Sequence, residues 1–489
     1  MARALLGARS PRFLPPTVWL ILAVALALRL VGAWRANLIF DERAHLALAE
    51  TISLQPGRLH LVSRSLDHPF LSIYMLKISS LLFGTSDFRL RILHVLAGTV
   101  TVMAVYALGR RAFGQRAGAW AAALLAVDQF HATWSRVFMP EVWLLLFASL
   151  ALWQCMRTLE NQSTGNFVGL GALLGLAYLA KEPGILMVPV LWIALLATPE
   201  YRRILIQPRW YLAHGAFLLV VLPDLGWNLL QLTDSYLSRG PAFLSAPWRL
   251  SFKSFSLYIG ELFQKLIGPD VMGSDYYDGR VYVCHWIAGV LYLAGVAAAL
   301  PRWRVAEVRL LLVTFLLVFV AFTLLPGGEK FDPFWWASVS LIPSVVCAGG
   351  FLDRLTGDAP AMALESPGNG RLRMAGPASR AIPWFAAVTL TGYLGLHVVP
   401  IAWQAGRFAP RRTVADFVRN SSNAGDAAVE RGQLDSATLR YIYVLNIGGP
   451  NPHAYLGLAR IAELRGDRQR ADTFRAKAAE LDVDPPTPP

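Results

Sequence analysis

The sequence predicts an all-α protein that crosses a membrane about eleven times. The chain of 489 residues is 55% hydrophobic and only 16% charged, whereas soluble proteins carry about 25% charged residues. Apolar segments recur along the chain, and most approach the roughly 17–25 residues that cross a hydrocarbon core. Arginines gather in every second loop between them, which is typical of a polytopic membrane protein with basic cytoplasmic loops.

The first predicted span, residues 17–34, sets the orientation of the chain. Arg3, Arg9 and Arg12 precede it, so we expect the N-terminus on the cytoplasmic side. The letters "VGA" at 31–33 resemble a signal-peptide cleavage site, but the apolar segment is long for a signal peptide and further spans follow. Those spans are residues 91–109, 117–133, 142–157, 166–181, 183–198, 210–230, 281–300, 309–325, 334–350 and 382–404.

Alternating sides from that start places every arginine-rich loop in the cytoplasm. The arginines concerned are Arg110, Arg111, Arg116, Arg157, Arg202, Arg203, Arg209, Arg302, Arg304, Arg309, Arg354, Arg371, Arg373 and Arg380. Membrane orientation thus accounts for the net charge of +13, and no basic run interleaved with aromatic residues indicates nucleic-acid binding. The scattered Cys155, Cys284 and Cys347 predict neither disulfides nor a metal site.

Two helices are expected in the first outer loop, residues 35–90. In "ERAHLALAETISL" the spacing of Ala44, Leu48 and Ile52 gives a helix one apolar face. The next segment, "DHPFLSIYMLKISSLLFG" at 67–84, is apolar enough to span. If it did, every later arginine-rich loop would face outward, so we interpret both segments as helices lying in the outer interface.

Acidic residues gather on the predicted outer side. They are Asp41, Glu42, Asp67, Glu141, Glu182, Glu329 and Asp332, with Asp128 and Asp224 in the outer halves of spans. Four basic residues depart from the cytoplasmic pattern and lie beside these acids: Arg91, Arg136, Lys181 and Lys330. Single residues of this kind can be solvated loop acids or interfacial anchors. As a set on one face, they predict a polar cavity at the outer edge of the membrane.

Several segments, in order along the chain, resemble one family. They are "FDERAHLALAETISLQPG", "DHPFLSIYMLKISSLLFG", "RLRILHVLAG" with the following "TWSRVFMPE", and "GLAYLAKEPGILMVPV". The chain resembles the membrane glycosyltransferases of family 39 over roughly residues 15 to 350. That family includes the protein O-mannosyltransferases and the bacterial aminoarabinose transferase acting on lipid A, and it has the GT-C fold.

The resemblance implies transfer of a sugar from a polyprenyl phosphate to an acceptor hydroxyl at the outer face, usually with inversion. Asp41 fills the place of the family's presumed catalytic base, with Glu42 beside it. The substrate-binding residues implied by matching positions are Arg91, Arg136, Glu141, Lys181 and Lys330, together with His68 of "DHPF". The chain departs from the family pattern at Phe70, Glu182 and "FDPFWW", which leaves the substrate open.

This chemistry agrees with the residue types present. Cations stabilise the charge that develops on a leaving phosphate. Arg91 and Lys330 are the first choices for that role, and Lys181 is the third. A carboxylate can take the proton of the acceptor hydroxyl. Neighbouring residues on a helix do not face the same way, so we expect one of Asp41 and Glu42 to be the base. No cofactor is indicated; a divalent cation stays open, although no ligand spacing supports one.

The composition changes after residue 404, so we predict a membrane glycosyltransferase domain at 1–404 and a soluble tail at 405–489. Two tail segments repeat with a period of about 34 residues and resemble tetratricopeptide repeats. Two repeats are fewer than usually fold independently, so we expect them to pack against the membrane domain or against a partner protein. Residues 354–381, rich in Gly, Pro and Ala, read as a cytoplasmic linker.

Two other functions remain open. Acids in membrane spans also serve ion paths in transporters, although no paired, broken-helix repeats are visible. An inactive membrane scaffold that presents the tail repeats is the other. We expect a multi-pass protein of a bacterial inner membrane, with the site and the tail on the periplasmic side. The sugar, the acceptor (lipid, protein or glycan) and the oligomeric state are not predicted.

Overall fold

The computed structural model describes residues 14–35, 40–52, 69–230, 286–324, 337–356, 414–432 and 434–482, with short helical pieces between 384 and 392. Within these ranges the regular structure is helical and no strand occurs, so the predicted all-α class is confirmed. Contacts divide the chain into two compact units, Met1–Ala36 with Leu61–Gly406, and Asn37–His60 with Arg407–Pro489. The predicted domain boundary at 404/405 stays a prediction.

The first unit contains most of the apolar helices. They are α1 (Pro16–Arg35), α3 (Leu71–Phe83), α4 (Asp87–Phe113), α5 (Gln115–Ala126), α6 (Gln129–Trp134), α7 (Pro140–Glu160), α8 (Thr164–Ala180), α9 (Met187–Leu196), α10 (Pro208–Leu230), α11 (Trp286–Ala299), α12 (Ala306–Leu324) and α13 (Leu341–Thr356). The second unit contains α2 (Phe40–Thr51), α14 (Val414–Glu430), α15 (Leu434–Gly448), α16 (Pro452–Leu464) and α17 (Arg468–Asp482).

Most predicted spans coincide with a helix of the first unit. Among the described residues, three helices are long and apolar enough to cross a membrane by length and composition: Pro16–Trp34, Asp87–Phe113 and Pro140–Glu160. The shorter apolar helices include Thr164–Ala180. The count of eleven spans stays a prediction, and so does the interfacial position of α3, which packs against α4.

The predicted span 117–133 differs from the structure, because α5 ends at Ala126 and α6 begins at Gln129. Asp128 lies between them and caps α6, where its Oδ1 accepts a hydrogen bond of 2.8 Å from the backbone N–H of His131. An aspartate side chain competes for backbone donors and therefore favours the start of a helix over its interior. Asp128, Gln129 and His131 interrupt the apolar run at this break, but a hydropathy average over the whole segment conceals it.

Arginines from the predicted cytoplasmic loops close the C-terminal ends of neighbouring helices. Three such bonds are Arg309 Nη1 to Ala197 O at 2.7 Å, Arg354 Nη1 to Ala298 O at 2.9 Å, and Arg116 Nη2 to Thr356 O at 2.8 Å. The last carbonyls of a helix lack intrahelical partners and carry a partial negative charge. The arginines that the sequence analysis assigns to cytoplasmic loops therefore link helix ends within the first unit.

Glycines allow α8 and α10 to approach closely. A Cβ atom at Gly171 would overlap the carbonyl oxygen of Ala213, whereas one at Gly215 would meet nothing within 4 Å. Gly171→Ala is therefore expected to destabilise the fold by about 1–3 kcal/mol, the usual effect of overpacking. Thermal unfolding in detergent measures this, with Gly215→Ala as the control on the partner helix. Equal melting temperatures for the two variants would contradict the packing of α8 on α10.

Candidate functional site

Four charged residues that the sequence singles out are buried at one end of the first unit. Arg91, Arg136, Glu141 and Lys181 expose only 0%, 5%, 1% and 4% of their surface. Arg91 is in the second turn of α4, Glu141 in the first turn of α7, and Lys181 directly follows α8. We call these four the buried charged group.

Arg91 and Arg136 both meet the last turns of α1. Arg91 Nη1 donates to the carbonyl oxygen of Ala33 at 3.1 Å. The side chain of Arg136 lies against Gly32, where a Cβ atom would be only 2.6 Å from its Cδ. Because the C-terminal end of a helix carries a partial negative charge, it stabilises both guanidinium groups in this buried position.

Glu141 and Lys181 form a buried ion pair between α7 and α8. Each also has a favourable helix dipole, since the carboxylate lies at the start of α7 and the ammonium at the end of α8. The second carboxylate oxygen, Oε2 of Glu141, has no hydrogen-bond partner among the described residues. Buried polar atoms are nearly always hydrogen-bonded in native proteins. This oxygen is therefore a candidate hydrogen-bond acceptor for a ligand.

His94 of α4 connects the two halves of the buried charged group. Its ring lies 5.5 Å from that of Trp143 and 6.2 Å from that of Phe138, measured between centroids. Trp143 follows Glu141 on α7, and Phe138 follows Arg136 in the loop before α7. These aromatic contacts therefore link the segment that carries Arg136 to the helix that carries Glu141, through a residue of the helix that carries Arg91.

The remaining predicted site residues are less completely described. His68 and Lys330 lie outside the described residues. The next described segment after Lys330, the turn Ala337–Ser340, packs against α7 and against the turn Glu182–Leu186. Asp41 and Glu42 lie in the first turn of α2, in the second unit, and Glu42 is fully buried. All catalytic and binding roles stay predictions.

Asp224 of α10 links the start of the "PFLS" segment to the bundle. The carboxylate is buried, and its Oδ1 accepts a hydrogen bond of 3.4 Å from the backbone N–H of Phe70. Pro223 precedes it inside the helix. Asp224, which the sequence analysis places in the outer half of a span, therefore fixes the backbone just before α3.

Sequence reasoning missed a buried network centred on Arg29 of α1. Its guanidinium donates to the carbonyl oxygen of Ala126 at 3.2 Å and to Nδ1 of His131 at 2.7 Å. Because a guanidinium only donates, Nδ1 of His131 accepts and the ring proton is on Nε2. Asp128 completes the network, accepting from the hydroxyl of Tyr292 at 2.8 Å. An arginine within the first apolar segment was the signal that could have found it.

The Arg29 network holds the break between α5 and α6 and the loop that follows. Ser135 donates its hydroxyl to the carbonyl oxygen of His131, and its side chain fills the space over Gly98 of α4. Arg136 is the next residue. The network therefore positions the backbone from which Arg136 reaches α1. The described residues contain no group of three His, Cys, Asp or Glu side chains placed to hold a metal ion.

Comparison with known proteins identifies the fold and its relatives. Residues 67–227 match the family described as dolichyl-phosphate-mannose-protein mannosyltransferase. No curated protein matches the chain by sequence. The predicted resemblance to family 39 membrane glycosyltransferases and to the GT-C fold is confirmed by this match together with the solved structures below. The tetratricopeptide resemblance of the tail stays a prediction.

Solved structures of similar fold include two states of ArnT from Cupriavidus metallidurans. The form bound to undecaprenyl phosphate has 18% identity and a TM-score of 0.50, covering 95% of this chain and 76% of that chain. The apo form has 18% identity and a TM-score of 0.53, covering 94% and 74%. The Archaeoglobus fulgidus oligosaccharyltransferase in complex with Zn and sulfate has 13% identity and a TM-score of 0.55, covering 94% and 66%. At these identities the likeness is one of fold.

Proposed function

We propose that this protein transfers a sugar from a polyprenyl phosphate to an acceptor hydroxyl. The proposal is supported by the match of residues 67–227 to the dolichyl-phosphate-mannose-protein mannosyltransferase family and by a fold similar to that of a membrane glycosyltransferase. Transfer takes place at the extracytoplasmic face, in a bacterial inner membrane. The acceptor is a lipid, a protein or a glycan, and the sugar is a hexose or a pentose.

The observation that carries this proposal is the buried charged group. Charges in an apolar environment are costly and are rarely retained without a task. Arg91, Arg136 and Lys181 bring three buried cations to one end of the first unit, beside the carboxylate of Glu141. Guanidinium and ammonium groups are the side chains that bind phosphate oxygens most strongly, so we infer that this end of the unit binds a lipid-borne phosphate.

The same cations favour the departure of the phosphate. The bond between the sugar C1 and the phosphate oxygen breaks, and that oxygen keeps the electron pair. Guanidinium and ammonium groups held in place before the reaction stabilise this charge as it develops. Lys330 is expected to join them.

The acid pair of α2 completes the reaction. One carboxylate takes the proton from the acceptor hydroxyl, whose oxygen attacks C1 from the side opposite the phosphate. The new bond forms as the old one breaks, so the configuration at C1 inverts. Asp41 is assigned as the base and Glu42 as the residue that orients the acceptor. Oε2 of Glu141, which has no hydrogen-bond partner within the described part of the chain, accepts a hydrogen bond from a sugar hydroxyl. His68 contacts the substrate.

A transfer assay in membrane vesicles tests this function. Polyprenyl phosphates carrying radiolabelled hexoses and pentoses are supplied, and the label is followed into lipid, protein and glycan fractions. The expected result is label in one acceptor fraction with release of an equal amount of polyprenyl phosphate. Label that enters vesicles still attached to its donor would indicate a transporter instead. No transfer from any donor would indicate a scaffold.

A further inference from the structure

The C-terminal helices have an apolar core of their own. α14 packs against α15, and α16 packs against α17. The buried residues shared by these helices are Ala428, Val429, Ala437, Tyr441, Val444, Ala454, Leu458 and Ile461. The tail therefore provides a folded surface rather than an extended chain.

Tyr441 of α15 is the centre of this core. Its ring lies against Gly425, where a Cβ atom would be 2.8 Å from Cε1, and it occupies the space over Gly457. Its hydroxyl donates to Oδ1 of Asp426 at 2.5 Å. Burial and this hydrogen bond raise the pKa of Tyr441, so the hydroxyl stays protonated and keeps donating. Replacing this side chain should loosen α14, α15 and α16 together.

The helix that carries the acid pair belongs to the same unit. α2 has 12 residues, and helices shorter than about 12–15 residues are marginal in water without tertiary packing. Among the described helices, α15 is the one that α2 packs against most extensively. Glu42 and Ala49 of α2 are buried, and so is Ile52 directly after the helix. The tail therefore supplies packing for α2 through α15.

We propose that the C-terminal helices position the acid pair: α15 holds α2, the helix that carries Asp41 and Glu42. The role of the two acids rests on the proposed function, whereas the docking of α2 on α15 does not. A base must lie within hydrogen-bond reach of the proton it takes, and a misplacement of about 1 Å can lower a rate about 100-fold. Loosening the tail should therefore slow the transfer step and leave the affinity for the lipid-linked donor unchanged.

Hydrogen exchange on the full chain in lipid nanodiscs tests the docking. Tyr441→Ala removes the centre of the tail core, and Val444→Ala on the same helix removes less of it. Leu456→Ala is the control, because that side chain is 52% exposed on α16. We expect faster exchange in residues 414–482 and also in 40–51 for the first two variants, with no change in 87–113. Faster exchange in the tail alone would overturn the docking.

Transfer kinetics test the positioning role. Tyr441→Ala is expected to lower kcat by about tenfold or more and to leave KM for the lipid-linked donor within about twofold, and Tyr441→Phe should restore most of the rate. An unchanged kcat together with faster exchange in 40–51 would overturn the positioning role. If the proposed function were wrong, the unaltered chain itself would show no transfer. That outcome differs from both the kinetic result and the hydrogen-exchange result of the Tyr441 variants.

Discussion

Replacing Lys181 with methionine is expected to lower the free energy of unfolding by about 3–5 kcal/mol and to abolish sugar transfer. The ammonium group is the partner of Glu141 at a site where both side chains are buried. Methionine fills a similar volume but leaves the carboxylate buried without its ion-pair partner, and that accounts for most of the expected destabilisation. Thermal or urea unfolding in detergent and the transfer assay measure the two effects.

The double variant Lys181→Met with Glu141→Leu separates stability from function. Replacing a complete buried ion pair by apolar side chains is often neutral or stabilising, so the double variant should recover most of the lost stability. It should not recover transfer, because the cation and the carboxylate oxygen that we propose to contact the donor are both missing. Transfer at the unaltered rate in the double variant would remove both residues from the site. An unchanged melting temperature for Lys181→Met would contradict the burial of the pair.

Asp41→Asn is expected to lower kcat by about 10²–10⁴ without changing the binding of the lipid-linked donor. Asparagine keeps the size and hydrogen-bonding shape of the side chain but cannot take a proton. The rate of the unaltered chain should fall at low pH as the base becomes protonated, and this acidic limb should be lost from what remains in the variant. A pH–rate profile at saturating donor measures both effects.

Glu42→Gln is the matched control, since it makes the same change at the neighbouring position of α2. We expect a smaller loss, with the acidic limb retained. A larger loss of rate for Glu42→Gln than for Asp41→Asn would make Glu42 the base and Asp41 the residue that orients the acceptor. Rates within about twofold of the unaltered chain for both variants would contradict a base on α2, because such a base contributes at least about 100-fold.

Composition and hydropathy were enough to predict three helices that are long and apolar enough to cross a membrane. α1, α4 and α7 lie where the apolar segments predict them, because burying an apolar helix in lipid depends on a property of consecutive residues. The alternation of arginines predicted which helix ends belong together, and the structure places Arg116 and Arg354 at such ends. The positions of candidate site residues at helix ends were predictable for the same reason.

Pairings between helices were not predictable, because they depend on how each helix is rotated about its axis. Glu141 and Lys181 are 40 residues apart, and Arg29 and His131 are 102 apart. Each pair meets only after side chains of neighbouring helices have packed, with glycines such as Gly98 and Gly171 setting how closely the helices approach. Asp128 caps α6 inside a predicted span, and an average hydropathy over that span conceals the break between the two helices.

The packing of α2 against the tail was also not predictable, because the two are separated by more of the sequence than the helices of any other pair named above. The acid pair was recognisable from the letters "DE" after the first span, and the tail from its change in composition. Their packing depends on the surface that α15 presents once α14 to α17 have folded. Local sequence thus specifies which helices form and which end of the bundle each residue occupies. Side-chain packing between distant helices specifies which of those residues meet.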